Sequence, residues 1–178
     1  YGVYALAWRI AQTLIRLVTF GSVPTLQRYL PAYEDDTERR ARVAGLAYAT
    51  TVGFGLAMAT GVWVLAPWIN DRTVTNPAFP GSMRLFAPLI GLIGVVMIYA
   101  ALFRAVGSAR GEVIFNKLLR PAVRLVGAAL ALALGYSVVG VAGAIVACTA
   151  VLVAAGYPVT RRLTGVGPSL RVGRRDVR

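Results

Sequence analysis

The stretch LVGAALALALGYSVVGVAGAIVACTAVLVAAGYPVT, residues 125–160, contains no Asp, Glu, Lys or Arg over 36 positions. One transmembrane helix needs about 20 apolar residues, so this run is too long for one span and long enough to contribute to two. GYSVVG at 135–140 supplies the turn signals of a hairpin between them. Two further charge-free runs, 43–69 and 85–103, indicate an all-α integral membrane protein.

The composition agrees with this interpretation. Hydrophobic residues make up 57% and charged residues 15% of the 178-residue chain. The mean hydropathy is +0.66. Soluble domains carry about 25% charged residues, so the bilayer is the expected surroundings of this chain.

Five transmembrane helices are predicted. Their approximate bounds are 3–30, 43–69, 83–103, 117–135 and 139–160, and a basic tail or linker follows at 161–178. A break in the first span is expected at Gly21, Ser22 and Pro24, because proline removes a backbone donor and clashes with the preceding turn. Residues 70–82 and 104–116 are expected to be loops, and Trp8 is expected to mark a membrane interface. Gly53, Ala57 and Gly61 form a row of small residues suited to close helix packing.

The distribution of Lys and Arg predicts the topology. Segments 28–42, 104–124 and 161–178 carry four, five and six of the 19 basic residues, whereas the opposite side carries only Arg72 and Arg84. By the positive-inside rule the tail is cytoplasmic and residue 1 lies outside. The net charge of +12 is therefore interpreted as a topology signal and not as a nucleic-acid-binding surface.

The first span carries the residues of greatest functional interest. Arg9 and Arg16 are seven residues apart, on one helix face, with Gln12 between them. A cation in the bilayer centre is costly and usually faces a protein interior or an aqueous cavity. No Asp, Glu or His occurs in any predicted span. We therefore interpret the row as one wall of a cavity for an anionic substrate, with snorkelling of Arg9 to the outer interface as the alternative.

A second basic row lies at the start of the fourth span. Lys117, Arg120 and Arg124 also share one helix face. Arg120 and Arg124 are further candidates for binding the anionic head group. Basic residues at a cytoplasmic helix start also bind anionic lipid or fix topology, and that alternative stays open.

The sequence offers no catalytic, metal or cofactor site. It has no His, no pair of acids within a span and no glycine-rich phosphate loop. The acidic cluster 34–38 is followed by Arg39, Arg40 and Arg42, which favours a solvated, self-neutralising loop over a metal site. An enzyme is therefore not expected.

Four short segments resemble one family of membrane transporters. They are YGVYALA (1–7), FGSVPTLQRYLP (20–31), LFRAVG (102–107) and LRPAVRL (119–125). In order and spacing they resemble helices two to six of the Wzx-like polysaccharide flippases in the multidrug/oligosaccharidyl-lipid/polysaccharide superfamily.

The resemblance implies a bundle of two six-helix lobes with a cationic central cavity that works by alternating access. It implies flipping of an anionic lipid-linked oligosaccharide for surface-glycan assembly. On this reading helix one and the second lobe of the same polypeptide are missing, and the chain is not expected to transport alone.

Two alternatives remain open. Drug exporters of the same superfamily have a similar architecture but typically bind cations through acidic residues in the helices, which these spans lack. A non-transporting scaffold subunit would instead pair its arginines with carboxylates of a partner.

Overall fold

The computed structural model describes residues 2–33, 36–136 and 138–164, and these residues contain no β-strand. The α-helices are α1 (Gly2–Thr19), α2 (Ser22–Ala32), α3 (Thr37–Ile69), α4 (Ala78–Ala105), α5 (Ala109–Glu112), α6 (Arg120–Ala133) and α7 (Val138–Thr164). Two π-helical segments, Asn70–Val74 and Val113–Leu119, follow α3 and precede α6. An all-helical fold is therefore confirmed for the described residues.

Three helical stretches are long and apolar enough to cross a membrane: Thr37–Arg72, Phe79–Ala105 and Val139–Arg162. They correspond to the second, third and fifth predicted spans. The first and fourth predicted spans are helical as well, but they carry more polar side chains, and their crossing of the membrane stays a prediction.

Helix α4 is the centre of the bundle. It packs against α1, α2, α3 and α7, and the side chains of Leu89, Ile93 and Ile98 are fully buried. Towards its start α4 packs with Ala7 and Ala11 of α1 and with the second half of α3. Towards its end it packs with α2 and the first half of α3 in one apolar cluster: Leu26, Leu30, Ala44, Ala47, Ile98, Ala101 and Leu102.

These clusters place the basic segments at one end of the bundle. The α2–α3 connection and the end of α4 belong to the same cluster. Tyr99 donates its hydroxyl to the carbonyl oxygen of Val153 at 2.9 Å, so the end of α7 lies near the same end of α4. The α2–α3 connection, the end of α4 and Arg161 and Arg162 of α7 therefore lie towards one end of the bundle, and the side of the membrane that this end faces stays a prediction.

The chain turns near Gly21, Gly107 and Gly135, and the last two turns have the same geometry. The first helix breaks at Phe20 and Gly21, as predicted. Gly107 and Gly135 end α4 and α6 with φ of +73° and +74°. Both ends have the paired hydrogen bonds of a Schellman motif, for example from Tyr136 N to Ala131 O at 2.9 Å and from Gly135 N to Leu132 O at 3.0 Å.

Three predicted boundaries are wrong. Helix α4 begins at Ala78, not at 83, because Pro80 falls in its first turn, where proline is tolerated. The predicted connector 104–116 is helical from Ala109 onwards. Residues 161–164 of the predicted tail continue α7, and 165–178 lie outside the described residues.

Two of the acids in the 34–38 cluster belong to the start of α3. Asp36 accepts a hydrogen bond from Arg39 N at 2.9 Å and also pairs with the Arg39 side chain. Glu38 pairs with Arg42 at 2.7 Å. These contacts confirm the self-neutralising interpretation for this pair of acids, while Glu34 and Asp35 lie outside the described residues.

The predicted row of Gly53, Ala57 and Gly61 does not form the close helix contact of α3 among the described residues. A Cβ added at Gly53 or Gly61 would meet no atom within 4 Å, and Ala57 is exposed. The close approach of α3 to α4 uses Gly55 instead, where a Cβ would lie 2.8 Å from the Cα of Gly91.

Candidate functional site

Two of the candidate residues of α1, Gln12 and Arg16, lie along one flank of that helix together with Trp8. Trp8, Gln12 and Arg16 are spaced by four residues and therefore lie one above the other. Trp8 and Gln12 are half-buried, and Arg16 is exposed at the surface of the bundle. The adjacent face of α1, with Ala7, Ala11, Ile15 and Val18, is buried against α4. Solvent exposure along this flank therefore increases from Trp8 to Arg16.

Arg9 lies beside this flank and is exposed. Its carbonyl oxygen accepts the hydroxyl of Thr13 at 3.1 Å, which keeps the Thr13 side chain on its own helix. The predicted alignment of Arg9 with Arg16 on one face is therefore present, and both guanidinium groups lie at the surface of the described bundle. Whether that surface faces lipid or a cavity stays a prediction.

The candidate residues of α6 lie one turn apart. Arg120 and Arg124 are both half-buried. Leu119 and Val123 pack with Tyr99 and Phe103 of α4, and this contact fixes the rotation of α6. Lys117, the third member of the predicted row, is exposed in the π-helical segment. The row is therefore divided into one surface cation and two cations within the bundle.

The structure brings one residue of the second row, Arg124, against Trp8 of α1. The guanidinium carbon of Arg124 lies 4.7 Å from the centroid of the Trp8 ring. Trp8 also makes an edge-on contact with Phe86 of α4, with centroids 5.7 Å apart. A cation over an indole face is stabilised by the ring quadrupole. Arg124 therefore lies next to the flank that carries Gln12, whereas no described contact joins Arg9 or Arg16 to Arg120 or Arg124.

One atom of Arg124 lacks a partner. Its Nη2 is buried and makes no hydrogen bond among the described residues. A buried donor without an acceptor is costly, and a buried cation is more costly still. An incoming oxyanion would satisfy both requirements, because arginine binds phosphate and carboxylate oxygens with paired donors.

The negative charges of the chain lie elsewhere. Among the described residues, carboxylates occur at Asp36, Glu38, Asp71 and Glu112. All four lie where helices start or end, and none lies within α1 or α6. Helices α1 and α6 therefore supply no carboxylate beside Arg124.

A cavity of about 350 Å³ continues along the same flank of α1. It lies at the break between α1 and α2, where Thr19 and Gln27 face Met97 and Arg104 of α4. Thr19 is eleven residues after Trp8, three helical turns along the same flank. The polar flank of α1 thus ends in a partly polar cavity near the basic end of the bundle.

A larger groove of about 460 Å³ lies on the α3 side of the same break. It is mostly apolar, with Leu17, Phe20, Leu46 and Phe54 among its lining residues. Ser22 and Thr50 share a hydrogen bond of 3.2 Å within it, so the main polar pair of this groove is internally satisfied.

Sequence reasoning did not find the contacts of Trp8. The half-buried Trp8 side chain touches both Phe86 and Arg124, while its expected position at a membrane interface stays a prediction. The signal was present, because Trp8 lies four residues before Gln12 and continues the same row. Comparison with protein-family models, with curated proteins and with solved structures finds no match for this chain.

Proposed function

We propose that this chain is part of a membrane transporter that binds the anionic head group of a lipid-linked oligosaccharide and flips it across the bilayer by alternating access. The observation that carries the proposal is Arg124, a cation within the bundle with a buried and unpartnered Nη2. Arg120, one turn away, adds a second positive charge.

The chemistry of the site favours a phosphate-containing ligand. Guanidinium groups match phosphate oxygens with two parallel donors, and the amide of Gln12 adds hydrogen-bonding capacity on the facing flank. Helices α1 and α6 contribute no carboxylate that would favour a cationic drug. The positive charge and the paired donors of the arginines therefore favour an anionic, phosphate-containing ligand.

The lipid-linked nature of the ligand rests on the resemblance to polysaccharide flippases and on the apolar helices. In this proposal the first and fourth predicted spans, 3–30 and 117–135, also cross the membrane. The polar flank of α1 and the arginines of α6 would then form one wall of a membrane-embedded cavity.

A binding experiment in lipid nanodiscs tests the proposal. The chain should bind a polyprenyl pyrophosphate and should bind the corresponding polyprenol much more weakly. Replacing both interior arginines, Arg120→Gln and Arg124→Gln, should weaken pyrophosphate binding at least tenfold, since two charge-assisted contacts are lost.

Arg84→Gln is the matched control. Its guanidinium also lies 4.7 Å from a tryptophan centroid, that of Trp63, but at the surface of the bundle. This variant should bind with affinity within about twofold of the parent chain. Equal affinity for the pyrophosphate and the alcohol would contradict the proposal.

A scaffold subunit is the second candidate, and the exposure of Arg9 and Arg16 favours it. Both cations could pair with carboxylates of a partner helix.

A substitution of Arg16 separates the transporter from the scaffold. Placed in the intact transporter, Arg16→Ala should abolish complementation of a flippase-deficient strain at equal expression, and Arg16→Lys should retain part of the activity. Loss of a co-purifying partner with Arg16→Ala, without loss of pyrophosphate binding, would favour the scaffold.

A further inference from the structure

The contact between Trp8 and Arg124 joins two parts of the bundle that otherwise pack on different neighbours. Helix α1 packs on α4 and α3, whereas α6 packs on α7 and follows the π-helical segment. Within the described residues, α1 and α6 share no extended interface. The cation–π pair therefore joins two helices that are not otherwise packed extensively against each other.

In this conformation a ligand has no access to the buried end of Arg124. Among the described residues Nη2 has almost no exposed surface and no hydrogen-bond acceptor, and the guanidinium carbon lies 4.7 Å from the centroid of the Trp8 ring. Movement of Trp8 away from Arg124 would give an anion a route to the guanidinium. The site is thus occupied by an aromatic ring that offers weaker stabilisation than a charge-assisted hydrogen bond with phosphate would.

We propose that Trp8 is a positioning residue that holds Arg124 in a closed latch, which an anionic ligand opens by displacing the indole ring from the guanidinium. This inference rests on the proposed anion-binding function. It adds that binding of the anion to Arg124 is coupled to separation of α1 from α6. Phe86 contributes by fixing the Trp8 ring in the position from which it covers Arg124.

The latch predicts that removing the Trp8 side chain increases the affinity for an anionic ligand. A ligand that must first displace Trp8 binds less tightly than it would without Trp8. A cation–π contact changes an equilibrium constant by roughly threefold to thirtyfold. Trp8→Leu should therefore tighten the binding of inorganic pyrophosphate by that factor, whereas loss of a merely structural side chain would weaken it.

Tryptophan fluorescence measures the opening directly. The full chain is placed in nanodiscs with Trp63→Phe and Trp68→Phe, so that Trp8 is the remaining tryptophan, and inorganic pyrophosphate is titrated. Equilibrium dialysis with labelled pyrophosphate measures binding independently. We expect the Trp8 emission to change with the same half-saturation as binding, and Arg124→Gln to remove that change.

The pair formed by Arg84 and Trp63 provides the control. A chain with Trp8→Phe and Trp68→Phe retains Trp63 beside Arg84, at the same 4.7 Å separation. Its emission should show no saturable response, because this pair lies outside the proposed site.

The outcomes separate the latch from the proposed function. Binding of pyrophosphate with unchanged Trp8 emission would overturn the latch and leave the anion site intact. Unchanged or weaker binding by a folded Trp8→Leu chain would overturn the latch as well. Absence of pyrophosphate binding in dialysis would overturn the anion site, and the latch with it.

Discussion

At the residue scale, the close approach of α3 to α4 depends on Gly55 having no side chain. A Cβ at Gly55 would lie 2.8 Å from the Cα of Gly91, a backbone atom that cannot rotate away. The added methyl must therefore push α3 from α4. Overpacking of this kind costs about 1–3 kcal/mol. We expect Gly55→Ala to lower the thermal midpoint of the chain in detergent, followed by circular dichroism at 222 nm.

Gly53→Ala is the control for this prediction. It lies in the same helix, and a Cβ there meets no atom within 4 Å. Alanine also favours a helix over glycine by about 1 kcal/mol, so this variant should melt at the same temperature or higher. Equal destabilisation by both variants would show that loss of glycine flexibility, and not the contact with Gly91, decides the outcome.

The same two glycines explain why the packing face was mispredicted. Gly53, Ala57 and Gly61 have the spacing of a packing motif, but Thr51 and Gly55 also place small groups at that spacing on another face. The choice depends on the partner helix, where Gly91 and Gly94 leave room; a Cβ on Gly94 would meet the Thr51 methyl group at 3.0 Å. Periodicity within one helix carries no information about that partner.

At the scale of the element, turns were predictable and helix starts were not. Gly107 and Gly135 end helices through their own positive φ, a property of one residue type. The start of α5, in contrast, depends on tertiary contact. Gly111 lies so close to the Phe103 ring that a side chain would clash with it, and Arg104 pairs with Glu112 across the turn. These contacts join residues eight positions apart and leave no pattern in the local sequence.

The ion pair between Arg104 and Glu112 makes the stability of this turn depend on pH. The hydrogen bond from Arg104 holds the pKa of the Glu112 carboxyl below its ordinary value of about 4.3. A carboxyl with a depressed pKa in the folded state favours folding at pH above its ordinary pKa. That contribution is lost as the pH falls through the depressed value.

We therefore expect the thermal midpoint of the parent chain to fall between about pH 5 and pH 3 more steeply than that of Glu112→Gln. The difference between the two should be small, because Arg104 is exposed and surface ion pairs contribute little. Glu38→Gln is a suitable comparison, since its pair with Arg42 is also at the surface. Parallel pH profiles for the parent chain and Glu112→Gln would refute the assignment.

At the scale of the whole molecule, the arrangement of helices was more predictable than the site. Charge-free runs have the length of a bilayer, so the second, third and fifth predicted spans follow from composition. The positions of Arg9, Gln12, Arg16, Arg120 and Arg124 on their helix faces also follow from spacing. The contact of Arg124 with Trp8 does not, because it depends on how α1 and α6 are placed around α4.

The whole-molecule prediction concerns which end of the bundle faces the cytoplasm. The described parts of the basic segments lie towards one end, formed by the α2–α3 connection, the end of α4 and the end of α7. Lys and Arg are retained on the cytoplasmic side during insertion, so that end is expected to face inwards. The turn at Gly135 should then face outwards, since α6 and α7 meet at the opposite end.

Cysteine labelling in intact cells checks this orientation. Cys148 is replaced by alanine, and single cysteines are introduced as Glu38→Cys at the basic end and Tyr136→Cys at the opposite end, both at exposed positions. A membrane-impermeant maleimide should label Tyr136→Cys in intact cells and should label Glu38→Cys only after permeabilisation. Arg161→Cys, exposed near the end of α7, should behave like Glu38→Cys. Labelling of Tyr136→Cys and Glu38→Cys from the same side would mean that α3 to α6 do not cross the membrane in the alternating order that their packing around α4 implies.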